Sequence, residues 1–375
     1  MANQSQIEAV TIEQNLNFQA ELKEIEQKHR SLVKKVDISH IECPKEFGVE
    51  FDKQNEIHVF IGVKDDTNPE QWEDSIKKAN QCKDEYNLSI KNYNDQLKKL
   101  AEIHSIEEEQ YKNLLMIPMK MCELVLFFLK PSPSTQEEVP SPVHVLQSAR
   151  YVYGKTNAQT IDEARFDASF FTERGFAYIR TKCEANLPTH QHLFPSDEKK
   201  EEQERIETVH KYYREFHIKC GIKENDHIIS NASTIHQDDF ITFGILCKEL
   251  CQKYLIPIAL SYNKQPHQHG EDQQGGQIFV NLKLWRCSDS ESIVDEIEKS
   301  TEATHLRSNP EKSYRVIKTI KEWVWVDTYR GMDNGWLEFD SLSGKTREER
   351  IETIKKISSY QHIMWNGKDL IKIDQ

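Results

Sequence analysis

The sequence lacks the motifs that identify the commonest enzyme classes. Its thirteen glycines form neither a P-loop nor a GxGxxG fingerprint, so the usual backbone cradles for phosphate are absent. The signatures of protein kinases, of α/β-hydrolases (GxSxG) and of HExxH zinc enzymes are absent as well. These absences disfavour a P-loop or Rossmann nucleotide enzyme, a serine hydrolase of that fold and a zinc protease.

The chain also lacks a long apolar segment, an excess of positive charge and paired cysteines. Its most apolar run, residues 114–129, is interrupted by charged side chains and is shorter than the roughly 20 residues that cross a bilayer. The formal net charge of −13 disfavours nucleic acid and anionic membranes as partners. The first ten residues contain no secretory signal, and the eight cysteines form no CxxC pair. We expect a cytoplasmic protein with no membrane span, no nucleic-acid partner and free thiols.

Two segments carry a heptad pattern, which is the strongest positive feature of the sequence. Apolar positions recur in alternating steps of four and three from Phe18 to Val36 and again from Trp72 to Tyr111. The pattern predicts two long helices that pack as a coiled-coil-like helical hairpin. Alternating apolar residues at 49–51 and 57–63 predict a small β-hairpin between them.

A segment rich in proline and serine, residues 131–143, divides the chain, since its composition favours extended backbone over a helix. It predicts an N-terminal arm at 1–130, a linker at 131–143 and a second domain at 144–375. Strand and helix patterns alternate in that second domain, which is typical of an α/β fold. Strands are predicted at 175–183, 239–245, 256–262, 277–285, 323–327 and 370–373, and helices at 196–218 and 347–357.

The predicted fold class is therefore α+β overall, with a long helical hairpin and a small β-hairpin followed by an α/β domain with a mixed sheet. No segment repeats at a period typical of a solenoid or a propeller. An apolar helical seam favours binding to another protein, and pairing of the seam between chains would make a homodimer in place of a monomer.

One candidate catalytic group combines a hydroxyl, an imidazole and a carboxylate. Ser233, His236 and Asp239 provide the residue types that general-base or nucleophilic catalysis requires. The alternative is that these side chains cap and turn the backbone before the strand predicted at 239–245. If the group is catalytic, a hydrolase or a transferase is the expected activity.

A candidate metal site lies at His190 and His192. Residues two apart on extended backbone point to one side, where two imidazoles can share a metal ion. The alternative is a polar loop that happens to collect histidines. The sequence thus supports two functions: a protein-interaction protein that uses its helical arm, or an enzyme with a His/Asp site, metal-assisted or not, in the C-terminal domain.

Overall fold

The computed structural model of the protein describes residues 2–36, 41, 53–62, 69–131, 138–186, 213–224, 227–229, 237–254, 256–263, 277–284, 292–306, 309–329, 362–365 and 370–373. Within these ranges the helices are α1 (Ala2–Arg30), α2 (Pro69–Ile103), α3 (Glu108–Tyr111), α4 (Asn157–Glu173), α5 (Gln237–Tyr254) and α6 (Ser292–Glu302). A 3₁₀ turn, Lys112–Leu114, follows α3.

The strands alternate with these helices along most of the chain. They are β1 (Gln54–Gly62), β2 (Lys120–Pro131), β3 (Glu138–Tyr153), β4 (Ala177–Asn186), β5 (Tyr213–Glu224), β6 (His227–Ile229), β7 (Ile258–Asn263), β8 (Gln277–Leu284), β9 (Ser313–Asp327), β10 (His362–Trp365) and β11 (Leu370–Ile373). Strands β10 and β11 pair only with each other among the described residues.

The first nine strands form one antiparallel sheet that closes on itself. Their order is β6-β5-β8-β7-β2-β3-β1-β4-β9, and an additional pairing of β5 with β9 joins the two ends. The closed part is a barrel of eight strands, and β6 pairs only with the last residues of β5. Closure leaves each barrel strand paired on both sides.

The barrel consists of two copies of one topology. The first copy runs β1–α2–β2–β3–α4–β4 with spatial strand order β2-β3-β1-β4, and the second runs β5–α5–β7–β8–α6–β9 with order β7-β8-β5-β9. Both copies are the βαββαβ arrangement of ferredoxin-like folds. The two sheets join at two seams, β2 with β7 and β4 with β9, which pair equivalent strands.

The helices cover the outer face of the barrel, so alternate side chains of each strand point outward to a helix or inward. In the first repeat, Ile57, Val59 and Ile61 of β1 lie in the same apolar cluster as α2 and α4. In the second repeat, Phe216 and Ile218 of β5 lie in a cluster with α5 and α6. The side chains between them, including His58 and His217, therefore point into the barrel.

Helix α1 adds a further layer over the first repeat. Nδ1 of His29, near the end of α1, lies 3.0 Å from Ser89 Oγ on α2, and the imidazole ring packs against Phe166 on α4. Arg30 forms an ion pair with Glu163 of α4. The apolar positions of α1 that the heptad pattern picked out, Phe18, Leu22 and Ile25, are buried.

The predicted fold class is wrong, although long helices occur at the predicted positions. The helices of 18–36 and 72–111 are not a separate coiled-coil-like hairpin, because the buried face of α2 also packs on the barrel and on α4. The sheet is not mixed, since the pairings among the described strands are antiparallel. Strand β1 pairs with β3 on one side and β4 on the other, so it is not half of a small local hairpin.

Three further predictions of local structure are wrong. Residues 239–245 belong to helix α5, and residues 213–218 of the helix predicted at 196–218 belong to strand β5. Residues 118–129, whose apolar composition predicts a further buried helix, contain most of β2 instead. The strands predicted near 175–183, 256–262, 277–285 and 323–327 correspond to β4, β7, β8 and the end of β9, and that at 370–373 corresponds to β11.

The predicted domain boundaries at 130 and 144 stay a prediction. On either side of residues 132–137, β2 and β3 form a long antiparallel hairpin whose register includes Pro131 opposite Glu138. The helix predicted at 347–357 lies outside the described residues. Among the helices that the structure describes, none combines the length and the apolar composition needed to cross a membrane.

Candidate metal centre

The same short segment, Glu-x-His, occurs on the first strand of each repeat. Glu56 and His58 lie two apart on β1, and Glu215 and His217 lie two apart on β5. Residues two apart on a strand share a face, and here that face is the barrel interior. The two segments therefore present the same pair of ligand types from equivalent positions of the barrel.

A glutamate on the last strand of each repeat completes the arrangement. Glu184 on β4 is the register partner of Glu56, and Glu322 on β9 is the register partner of Glu215. We call these six residues the His–Glu centre: Glu56, His58, Glu184, Glu215, His217 and Glu322. It lies beside the β4–β9 seam, where the two repeats meet.

The centre contains two overlapping sets of three ligands that share Glu184. Glu56, His58 and Glu184 have one ligand atom each within 4.8 Å of the others, and so do Glu184, His217 and Glu322. His58 Nε2 lies 2.9 Å from Glu184 Oε2, and His217 Nε2 lies 3.0 Å from Glu322 Oε2. Two ligands bound at right angles at about 2.1 Å from a metal ion are separated by about 3.0 Å, so both pairs have the spacing of neighbouring ligands.

Each histidine is oriented by a carboxamide on the third strand of its own repeat. The carboxamide of Gln147 on β3 contacts His58 Nδ1, and Asn281 Oδ1 on β8 lies 2.6 Å from His217 Nδ1. Asn281 in turn donates to Ser261 Oγ at 2.8 Å. These partners leave Nε2 of both rings directed at the carboxylates. Asn281 Oδ1 accepts from His217 Nδ1, as outer residues do for metal-binding histidines. The atom of Gln147 that faces His58 Nδ1 is its amide nitrogen, so the carboxamide must turn over for His58 Nδ1 to donate in the same way.

Three atoms of the centre are buried without an aligned hydrogen-bond partner among the described residues. They are His58 Nε2, Glu184 Oε1 and Glu215 Oε1, and the side chain of Glu215 is fully buried. A buried carboxylate oxygen without a donor is unfavourable, because it has lost water and gained no hydrogen bond. A cation bound by Glu56, His58 and Glu184 would give His58 Nε2 and the Glu184 carboxylate a partner.

Lys182 is the cation that the chain itself contributes to the centre. Its ammonium group forms ion pairs with Glu184 of its own strand and with Glu215 of the second repeat. It uses Glu184 Oε1, whereas His58 faces Glu184 Oε2. The two oxygens of Glu184 therefore face different partners.

The centre shifts the pKa values of its members in opposite directions. Burial disfavours charged imidazole, but Glu215 and Glu322 outweigh it and raise the pKa of His217 to about 10. Glu184 and Glu56 likewise raise the pKa of His58. Burial favours a neutral Glu184, yet Lys182 and His58 hold its pKa well below the usual range. Burial and the charge of Glu184 raise the pKa of Glu322 to about 7.

A separate ion pair, between Arg180 and Asp327, is buried near this centre. Both Nε and Nη2 of Arg180 bind the carboxylate of Asp327, at 2.7 and 2.5 Å. The hydroxyl of Tyr213 donates to the same carboxylate at 2.7 Å. Arg180 and Asp327 lie on β4 and β9, so this pair also links the two repeats at their seam.

None of the site residues predicted from the sequence belongs to the centre. His190, His192, Ser233 and His236 lie outside the described residues, and their predicted roles stay predictions. Asp239 lies in the first turn of helix α5, so the alternative that it caps a strand at Phe240 is wrong, and its catalytic role stays a prediction.

The sequence did contain a signal for the centre. The segments Glu56-Ile57-His58 and Glu215-Phe216-His217 have the same pattern, an apolar residue between glutamate and histidine. Their significance depends on the fold, because only the βαββαβ repeat places the two segments at equivalent strand positions.

Comparison with known proteins assigns no family. No protein-family model matches the chain, and no curated protein matches it. Among solved structures, the chain is similar to a mutant chlorite dismutase from Candidatus Nitrospira defluvii, with 11% sequence identity over 72% of this chain and 91% of that chain. The TM-score of 0.19 is too low to relate the two proteins in fold or function.

Proposed function

We propose that the protein binds a divalent transition-metal ion inside its barrel, at the His–Glu centre. The observation that carries this proposal is the convergence of His58 and His217, one from each Glu-x-His segment, on one shared glutamate, Glu184. The segments come from different repeats, so this convergence depends on the closed barrel and not on local sequence.

The donor set supports a metal ion of intermediate hardness. One imidazole with two carboxylates suits Zn²⁺, Mn²⁺ or Fe²⁺, whereas Mg²⁺ and Ca²⁺ prefer oxygen ligands alone. Buried carboxylates, histidines oriented by Gln147 and Asn281, and orphaned ligand atoms all fit such an ion. A bound ion supplies Lewis-acid chemistry to the barrel interior.

The test is a measurement of bound metal on the full-length protein. The protein is stripped with a chelator and dialysed against Zn²⁺, Mn²⁺ or Fe²⁺ under anaerobic conditions. The ion that remains after removal of the free metal is then counted by inductively coupled plasma mass spectrometry. We expect stoichiometric retention of at least one of the three ions, and loss of that ion in Glu184→Gln, which keeps the shape of the side chain and removes its charge.

Glu163→Gln is the matched control, because Glu163 is equally buried and ion-paired but lies on α4, outside the barrel. It should retain the metal. Wild-type protein that retains none of the three ions would refute the proposal, and so would equal loss in both variants. Circular dichroism of each variant establishes that a loss of metal is not a loss of fold.

The protein partner expected from the heptad pattern stays a prediction. Tyr86, Ile90 and Leu97, which define the seam of α2, are buried within this chain. A partner would therefore have to bind another face of the helices. The hydrolase or transferase activity at His236 and Asp239 and the cytoplasmic location likewise stay predictions.

A further inference from the structure

The two halves of the His–Glu centre match in their glutamates and histidines but differ at one position. Two residues before Glu184, β4 carries Lys182, whereas two residues before Glu322, β9 carries Ile320. Glu184 and Glu322 occupy equivalent register positions opposite Glu56 and Glu215. At this position the first repeat carries a cation and the second repeat carries an apolar side chain.

The ammonium group of Lys182 lies on one side of the shared glutamate. It pairs with Glu184 Oε1 and with Glu215 of the second repeat, while His58 faces Glu184 Oε2. Glu215 Oε2 lies 3.7 Å from His217 Nε2, so the ammonium group contacts the immediate neighbours of His217. A second ion bridged by Glu184 would need the oxygen that Lys182 already uses.

The charges of the centre are consistent with one metal ion on the His58 side of Glu184 and the ammonium group of Lys182 on the other side. A divalent ion bound by Glu56, His58 and Glu184 balances the two carboxylates of that set. Of the remaining carboxylates, Glu215 pairs with Lys182, and Glu322 faces the imidazole of His217. A buried carboxylate without a cation is strongly unfavourable, so an ammonium group in place of a metal ion has a direct electrostatic role.

We infer that the protein binds one metal ion per chain, through Glu56, His58 and Glu184, and that Lys182 takes the place of a second ion at Glu184, His217 and Glu322. This inference rests on the proposed metal-binding function. It makes a claim about stoichiometry and position that metal binding alone does not.

The experiment replaces the lysine and counts the metal. Lys182→Met removes the ammonium group and keeps an unbranched side chain, and Lys182→Arg keeps a positive charge as the matched control. With Mn²⁺ we expect one ion per chain in the wild type and in Lys182→Arg, and two in Lys182→Met. Electron paramagnetic resonance distinguishes the cases, since one isolated Mn²⁺ gives a six-line spectrum and two ions bridged by a carboxylate give an exchange-coupled spectrum.

Two histidine variants locate the ion. In an otherwise wild-type chain, His58→Gln should lose the single ion and His217→Gln should keep it. In the Lys182→Met chain, His217→Gln should reduce two ions to one. Because Lys182→Met leaves buried carboxylates uncompensated, its folding is checked by the rise in melting temperature on addition of Mn²⁺.

The outcomes separate this inference from the function on which it rests. Wild-type protein without bound metal refutes metal binding itself. Two ions in the wild type, one ion in a folded Lys182→Met protein, or retention in His58→Gln with loss in His217→Gln each overturns the inference while leaving metal binding intact. A Lys182→Met protein that does not fold even with Mn²⁺ also counts against it, because the inference requires the second ion to compensate for the lysine.

Discussion

The two repeats of the barrel have similar inner faces and different outer faces. Inside, each contributes a Glu-x-His segment, a glutamate and a carboxamide at equivalent strand positions. Outside, α4 of the first repeat is buried on almost all sides, while α6 of the second buries only Val294, Ile297 and Thr301. The difference follows from α1, which covers the first repeat and gives α4 a second neighbour.

A helix between two layers cannot keep an all-polar face exposed to water, and the buried carboxylates of α4, Glu163 and Asp167, are paired. Arg150 of β3 donates from Nε to Asp167 at 2.6 Å and from Nη2 to Glu163 at 2.6 Å. Tyr86 of α2 donates to Asp167 at 2.5 Å. The two repeats share one topology, so the buried charge on α4 follows from the extra layer that α1 adds.

The largest expected effect tests this buried network. Arg150→Met should lower the free energy of unfolding by about 3–5 kcal/mol, because it leaves Asp167 and Glu163 buried without their shared cation. Urea denaturation measures it. Lys253→Met is the control in the second repeat, where the pair with Glu296 is exposed and its loss should change stability little. Equal effects would show that the outer faces do not differ as described.

The outer layer of the first repeat should also show a pH effect, through the buried imidazole of His29. Burial first, and Arg150 next, lower the pKa of His29 to about 4; Arg30 and Lys155 act in the same direction, and Glu163 opposes them. The unfolded chain takes up the proton near pH 6.5 and the folded chain does not. Stability is therefore lost as pH falls from about 6.5 towards 4, by about 2 kcal/mol between pH 7.5 and 5.

The measurement compares the free energy of unfolding of the wild type with that of His29→Gln at both pH values. The glutamine does not titrate, so the difference between the two proteins isolates His29 from the other histidines. A difference that is the same at pH 7.5 and at pH 5 would contradict the prediction.

A third test sharpens the comparison of the inner faces. Gln147→Leu removes the partner of His58 Nδ1 and should weaken metal binding about 10- to 100-fold, the usual effect of losing a residue that orients a ligand. Asn281→Leu removes the equivalent partner of His217 and should leave the affinity unchanged if the ion is bound by the first repeat. Isothermal titration calorimetry gives both constants. Equal weakening would mean that both histidines bind one ion.

The smallest effect concerns the simpler outer face. Ile297→Val removes one buried methylene from α6, which packs in a purely apolar cluster of the second repeat. We expect a loss of about 1 kcal/mol with no dependence on pH between 5 and 7.5. A much larger loss, or a loss that varies with pH, would indicate a hidden polar contact on this face.

The sequence predicted the long helices because their apolar period persists over many turns. Prediction from the sequence failed for elements that are buried on both faces and for strands whose polar side chains point into the barrel. On β5, Phe216 and Ile218 alternate with Glu215 and His217, yet the polar positions point into the barrel and not to solvent. The alternation that normally indicates a half-exposed strand is therefore present, but the helical spacing of Ile206, Val209, Tyr213 and Phe216 favoured a helix.

Short apolar segments caused the other errors. Residues 120–126 of β2 are apolar at most positions, and such a run cannot be assigned to helix or strand by periodicity. In α5 the alternating Phe243 and Ile245 indicated a strand, while the helical spacing of Phe243, Cys247 and Leu250 gives the buried face that the structure shows. The centre itself could not be derived, because it depends on register between strands far apart in the chain.

The β4–β9 seam also has a consequence for the order of folding. Lys182 is the backbone register partner of Asp327 across this seam. Strand segments about 140 residues apart in sequence must therefore pair before Glu184 and Glu322 come close to each other. Each repeat can assemble from contacts between residues nearer in sequence. We therefore expect strand pairing at the seam to form after strand pairing within the repeats. Beside this seam the ion pair of Lys182 on β4 with Glu215 on β5 joins the two repeats. That ion pair would slow unfolding of the finished barrel and leave the early folding steps unchanged, so the unfolding rate of Lys182→Met reports on barrel closure.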